Sequence, residues 1–215
     1  MSLWLRSGYA VLSNKGKLYR HRRICRFDPD VRSDGHMTDW NVTISGDGYR
    51  LTAPHHACDC LAGKAGFIAG DAKREGDMAT PVGAWPLRHV YYRPDRMPPP
   101  ETGLPVIPLT PEMGWCDDPE DPAYNRLVEI PYPARHENLW RDDALYDLIV
   151  VLGHNDSPPI PWCGSAVFLH LRDDDTTHTA GCVAVRRQDM LALLGPADTG
   201  TVLRIIDKNQ AEGSR

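Results

Sequence analysis

His170 and Cys182 stand twelve residues apart in FLHLRDDDTTHTAGCVAV (168–185), each beside a short apolar run. An imidazole close to a thiol is what nucleophilic acyl transfer requires. A free thiol with a pKa of roughly 8.5 is only a few per cent thiolate at neutral pH. A neighbouring imidazole takes its proton, stabilises the anion and later returns a proton to a leaving amine. Gly181, just ahead of the thiol, lets the backbone approach a substrate closely. The N–H groups of this turn, at Gly181 and Cys182, are candidates to hold the oxyanion of a tetrahedral intermediate. A structural role fits the same spacing: a cysteine at a strand start is often an inert buried hydrophobe, and a histidine ending an apolar strand is often neutral and satisfied. The acidic run Asp173-Asp174-Asp175 would disfavour a thiolate unless it faces solvent. Spacing alone leaves both readings open.

The elements that would position the pair are short strands. AVFLH (166–170) and CVAV (182–185) read as two strands joined by 171–181. Paired as a hairpin, they would set His170 opposite Cys182, with Cα atoms roughly 4.5–5.5 Å apart. Further β-like runs are WNVTISGDGYRLT (40–52), CLAGKAGFIAG (60–70), WPLRHVYYR (85–93), LYDLIVVLG (145–153) and TVLRIID (201–207). Many short strands with frequent turn signals predict a mainly β fold, a sandwich or barrel-like sheet. Helices are expected over 136–145 and, with Met190, Leu191 and Leu194 on one face and Gly195-Pro196 as the stop, over 186–196. Prolines concentrate at 94–133, which cannot pair as a central strand and reads as an ordered loop forming a lid or wall over a cleft.

Composition bounds the partners. A chain of 215 residues with 41% hydrophobic content can build one large domain or two small ones. A net charge of −5 argues against a nucleic-acid partner. No apolar run approaches the roughly 20 residues of a transmembrane segment, and MSLWLRSGYAVLS does not read as a signal peptide. Residues 1–40 read as a basic N-terminal extension, in which KGKLYRHRRICR (15–26) is a solvated tail or a foothold on an anionic polymer or membrane. Six cysteines are too few for a disulfide scaffold. HHACDC (55–60) resembles a metal cluster, and its two thiols share one strand face, but it lacks a second ligand pair, so no metal is expected.

Three ordered blocks now matter together: GDAKREGDMATPVGAWPL (70–87), residues 114–170 with their Tyr-Asn pair, and His170 followed by TAGC (179–182). They resemble the L,D-transpeptidases, whose catalytic domain is called the YkuD domain, in a divergent branch carrying TAGC. The resemblance covers about residues 41–206. It implies a YkuD-like β-sandwich with a few short helices, divided as a 1–40 extension, a catalytic domain at 41–207 and a 208–215 tail. It implies acyl transfer between peptidoglycan stem peptides without metal or organic cofactor. Cys182 would attack a donor-stem carbonyl to leave a thioester, His170 would serve as base and acid, and a diaminopimelate amine of an acceptor stem would resolve it. It further implies that a carbapenem β-lactam can acylate Cys182, and a periplasmic location.

The commonest family motif is Ser-His-Gly-Cys, hydrophobic, Arg-x-x-Asn. Here Ala180 replaces the histidine, Ala184 takes the arginine position and Arg187 the asparagine position, and the gap between histidine and cysteine is short. Arg186 or Arg187 would then serve as the clamp on a stem carboxylate. Thr179, Ala180, Asn155 and Tyr124 are further substrate-binding candidates, with an Asx turn as the other reading of Asn155, and His178 is a second imidazole that reads as solvent-exposed. Lys73, Glu75 and Asp77 read as structural charge pairs, Trp115 and Trp162 as packing under loops, and Cys60, Cys116 and Cys163 as spectators. Divergent TAGC members are associated with 1–3 links, from first-position L-alanine to diaminopimelate, and the resemblance leans that way. Alternatives are a 3–3 transpeptidase, an L,D-carboxypeptidase or hydrolase on the same stems, and a non-catalytic wall-binding module. A papain-like peptidase fits less well, because it places its cysteine on a helix far upstream of the histidine.

Overall fold

A computed structural model describes residues 39–45 and 48–207. The basic run at 15–26 and the 208–215 tail lie outside the described residues. The strands are β1 (Trp40–Ser45), β2 (Gly48–Thr52), β3 (Ala57–Cys60), β4 (Phe67–Ala69), β5 (Thr80–Tyr92), β6 (Val106–Pro108), β7 (Met113–Cys116), β8 (Arg126–Glu129), β9 (His136–Asn138), β10 (Leu148–Leu152), β11 (Phe168–Leu171), β12 (Val183–Val185) and β13 (Val202–Ile206), with a helix α1 (Arg187–Leu194) between the last two. The fold is mainly β, as the sequence predicts.

Ten strands form one sheet whose central path runs β12-β11-β10-β5-β13-β1-β2-β3, with β4 and β6 attached to β5. This sheet curls until its ends meet. Leu61, directly after β3, exchanges two backbone hydrogen bonds with Ala184 of β12, at 2.8 and 3.0 Å. Alternation explains the curl's two faces. Trp40 and Val42 are buried while Asn41 and Thr43 are partly exposed, the period-2 pattern of a strand with one solvated face. In β10 every residue is buried. Leu148, Val150 and Leu152 join an inner core with Leu169, Val183, Val185 and the helix residues Met190, Leu193 and Leu194. Ile149 and Val151 face the other way, into a second cluster with Phe168, Trp115, Leu139, Tyr146 and Cys182. Each such Val, Leu or Ile contributes on the order of 1.5–3 kcal/mol by leaving water.

The second cluster is covered by a small antiparallel sheet, β8-β7-β9. This corrects two sequence expectations. The proline-rich segment 94–133 is not all loop: β7 is the central strand of the small sheet, its four residues free of proline. The predicted helix over 136–145 is instead β9 followed by turns. Its carbonyls are held from outside rather than by helical bonds, since Arg93 donates to Arg141 O and Arg96 to the carbonyls of Asp142 and Asp143. The second predicted helix forms, but Leu193 replaces Leu191 on the buried face, and Leu191 is exposed.

Candidate active site

β11 and β12 pair in parallel, with Leu169 opposite Val183 and His170 opposite Ala184. The hairpin expected from the sequence is therefore wrong. The reason lies in the connection. After Leu171 the chain leaves the sheet and Thr179 is captured by the segment after β3, its N–H donating to Ala62 O and its carbonyl accepting from Lys64 N, each at 2.9 Å. The strand that follows must then re-enter from the same end as β11. The new register keeps the chemistry together by another route. Cys182 precedes Ala184 by two residues, so period-2 alternation sets it on the His170 side of the sheet, diagonally across and beside Phe168.

His170 and Cys182 line one cleft of about 590 Å³, with Glu75, Glu137, Arg141, Tyr146, His178, Ala180 and others around them. The His170 Nδ1 lies 2.7 Å from the Leu171 carbonyl, which can only accept, so Nδ1 carries the proton and Nε2 is the basic nitrogen. The Cys182 thiol donates to Ala166 O at 3.2 Å and accepts from the Phe168 N–H at 3.4 Å. No hydrogen bond joins the two side chains among the described residues. Burial pushes the Cys182 thiol up to about 12, against smaller lowering by the Phe168 N–H and Lys73. Burial likewise brings His170 down to about 4. The resting pair is thus a neutral thiol and a neutral imidazole rather than the ion pair expected from the sequence. Nucleophilic attack from this state requires the thiol proton to leave Ala166 O and pass to Nε2 as the sulfur engages its target.

The nucleophile's backbone is fixed by the first sequence block. Thr80 and Thr179 both donate to the Cys182 carbonyl, at 3.3 and 2.7 Å. Lys73, buried behind the turn, donates to Ala79 O at 2.8 Å and pairs with Asp77, so the structural reading of these charges stands. Gly181 has φ +139°, and a Cβ there would stand 2.9 Å from Ala79 O. This position needs glycine. Its N–H, however, donates to Thr179 Oγ1 at 3.1 Å, so it is engaged in the turn rather than aimed at an oxyanion.

Several predicted substrate contacts lie elsewhere. Thr179 is buried and its hydroxyl holds the turn. Asn155 does not line the cleft. Its amide donates to Ile160 O and Gly164 O and accepts from Ile160 N, closing the loop before β11. Tyr124 stands behind the cleft wall, 2% exposed, donating to Glu75 at 2.5 Å. Its neighbour Asn125 bonds Trp115 and the backbone of 154, 155 and 166, pinning the small sheet to the same loop. Arg186 pairs on the surface with Asp174, and Arg187 pairs with the buried Asp147. Neither arginine reaches the cleft. Ala180 is exposed on its rim, as is His178. Trp115 packs edge-on against Phe168 at 5.2 Å, whereas Trp162 is half exposed, contrary to expectation. Cys60 and Cys116 are buried free thiols, but Cys163, read as a spectator, is disulfide-bonded.

The sequence reading missed the opposite wall. Tyr146 donates to Glu137 Oε1 at 2.7 Å, and its ring meets His170 edge-on at 5.3 Å. The Arg141 guanidinium lies 5.0 Å from the Tyr146 ring and 4.0 Å from Glu137. Burial raises the Glu137 carboxyl above its ordinary value, with Tyr146 and Arg141 opposing the rise. Tyr146 flanks His170 on this side, and the Arg141 guanidinium, held in a forked ion pair by Asp143, lines the cleft beside it. No local motif in HENLWRDDALY signals them.

A family described as the L,D-transpeptidase catalytic domain (YkuD) matches residues 31–205. Among curated proteins no relative is detected. Solved structures with similar folds include the Ldtfm–avibactam carbamoyl enzyme, at 14% identity and a TM-score of 0.37, covering 80% of this chain and 49% of that one. L,D-transpeptidase 3 from Mycobacterium tuberculosis with a faropenem-derived adduct matches at 11% and 0.38, over 79% and 60% of the two chains. An L,D-transpeptidase from Mycobacterium smegmatis matches at 11% and 0.35, over 79% and 58%. The chain thus spans about half to three fifths of the length of these structures. With four fifths of its length inside the family match, the chain belongs to the L,D-transpeptidase (YkuD) catalytic-domain family.

Proposed function

We propose that this chain is a peptidoglycan L,D-transpeptidase in which Cys182 forms a thioester with a donor stem peptide. The single observation that carries the reading is the convergence of Cys182 and His170 in one cleft, on one sheet face, within a chain of this family. His170 Nε2 accepts the thiol proton as Cys182 Sγ bonds to the donor carbonyl carbon. The protonated imidazole then gives that proton to the departing amine as the C–N bond breaks. In the second half an acceptor amine attacks the thioester, His170 takes its proton, and the thiol is regenerated. Ala180 lies on the rim, where stem atoms pass, and Arg141 takes the carboxylate-binding role first sought at Arg186 and Arg187. On this reading the same thiol is the atom that a carbapenem β-lactam would acylate, as the family resemblance implies.

For the linkage we propose the 1–3 type, which rests on the resemblance of the TAGC turn to divergent members of the family. A periplasmic site of action follows from the substrate and accords with a disulfide at Cys163, because disulfides persist in oxidising compartments. No described helix is long and apolar enough to cross a membrane. Incubation of the protein with disaccharide-tripeptides and -tetrapeptides, followed by tandem mass spectrometry of any dimer, tests the reading. An L-alanine–diaminopimelate bond is expected. A directly bonded diaminopimelate pair overturns the linkage, and trimmed monomers without dimers convert the transferase into a hydrolase.

A further inference from the structure

The HHACDC run at 55–60 takes no part in the cleft. Cys58 and Cys60 both turn toward the interior of β3, as alternation demands, but their surroundings differ. Both thiols are buried in the core, but Cys58 stands beside His56 and Cys60 does not. His56 Nε2 stands 2.8 Å from Asp189 Oδ1, in the first turn of α1 and 133 residues further along the chain. The donor atoms of His56, Cys58 and Asp189 all lie within 4.8 Å of one another. The sequence lacked a partner for the HHACDC ligands. Helix α1 brings one.

We propose that His56, Cys58 and Asp189 form a binding site for a zinc-like divalent cation that ties β3 to α1. The donor set selects the ion: a thiolate and an imidazole favour zinc over magnesium or calcium, which take oxygen ligands. At tetrahedral zinc, bonds of about 2.0–2.3 Å place ligand atoms roughly 3.3–3.8 Å apart. The present spread closes to that by rotation of side chains, and His56, at the bend before β3 and partly exposed, is free to supply it. Water takes the fourth position on the His56 side. Asp189 is unshared with any arginine and Arg50 is engaged by Asp59 at 3.2 Å, which offsets the second guanidinium near these thiols, Arg172. The site sits at the seam where Leu61 joins Ala184, so the metal fastens the closing strand to the helix that follows β12. It is a structural clamp outside the cleft.

The test uses the full chain carrying Cys182→Ser, which removes the cleft thiol, stripped with a chelator and titrated with Co²⁺ and then Zn²⁺. Expected are one cobalt per chain by elemental analysis, a thiolate-to-cobalt charge-transfer band in the near ultraviolet, and displacement of cobalt by zinc. Cys58→Ser should abolish the band and Cys60→Ala leave it. Asp189→Asn and His56→Gln should weaken cobalt binding by at least about 10- to 100-fold, the loss typical of removing even an outer-shell partner. Zinc should raise the thermal midpoint of the parent and not that of Asp189→Asn. No cobalt uptake by the parent, a band that survives Cys58→Ser, or unchanged affinity in Asp189→Asn overturns the proposal. Should Cys58→Ser fail to fold, the Asp189 and His56 variants, both at partly exposed side chains, decide it.

Discussion

The two walls of the cleft are built in opposite ways. The nucleophile wall, residues 179–182, is fixed through backbone: two threonine hydroxyls on the Cys182 carbonyl, a lysine on Ala79 O, and a glycine pressed against that same carbonyl. The facing wall, residues 136–146, is fixed through side chains, with arginines holding its carbonyls and a Glu137–Tyr146–Arg141 cluster at its surface. A wall locked by backbone holds a reacting atom within narrow limits, whatever the substrate. A wall made of charged side chains can change its specificity by one substitution. On the proposed function, the first wall governs turnover and the second governs which stem binds.

Substitutions should separate the walls. His170→Asn sets an amide N–H near the Nδ1 position, keeping a donor for the Leu171 carbonyl, but removes the base, and turnover should fall about 10²- to 10⁴-fold with folding intact. Measured as a rate of stem consumption, retention of more than a tenth of activity would assign the proton to another group. Iodoacetamide labelling of Cys182, followed by peptide mapping, reports the neutral pair directly. With the thiol pushed up to about 12 and His170 down to about 4, thiolate is scarce at neutral pH. Labelling should rise about tenfold per pH unit between pH 7 and 9, and a plateau already reached at pH 7 would instead mean a preformed ion pair.

Smaller effects sharpen the contrast. Gly181→Ala forces a Cβ toward Ala79 O and should cost about 1–3 kcal/mol. The thermal midpoint should drop by roughly 2–12 °C in a chain of this size, with turnover reduced while KM holds; a raised KM at full turnover would mean that both walls serve recognition. Arg141→Gln should do the reverse, raising KM about 10- to 150-fold for a carboxylate-bearing stem with little change in kcat, the loss of a charge-assisted contact of about 1.5–3 kcal/mol. Arg186→Gln, on the surface with Asp174, should change neither quantity measurably.

The backbone wall was legible only in part: its blocks stood out, but Thr179 read as a substrate contact, Gly181 as an oxyanion donor, and Thr80 gave no local signal, because a threonine that locks a distant carbonyl looks like any other. The strands were legible too, since alternation at Trp40–Thr43 and the apolar run of β10 are local signals. The pairing of β11 with β12 was not, because a hairpin and a parallel pair both leave His170 and Cys182 on one side and differ only in where Thr179 is captured. Nor was the role of Arg141. Its partners Glu137 and Tyr146 are near in sequence, but the His170 ring they face is supplied by a strand 29 residues away from Arg141 (from 141 to 170). Asn155 fits a substrate contact and a turn equally by sequence, since an amide looks the same whether it meets a ligand or its own loop; here Ile160 and Gly164 claim it, and the turn reading holds.

The parallel union of β11 and β12 carries one more consequence, for how this domain can vary. In a hairpin, adding or deleting a residue at the tip slides one strand past the other and turns every side chain to the opposite face. A returning crossover has no such gearing. Residues can be inserted or lost between Arg172 and His178 while the thiol and the imidazole keep their alignment, so the short interval between them is an economy of rim length and leaves the reacting atoms where a longer interval would put them.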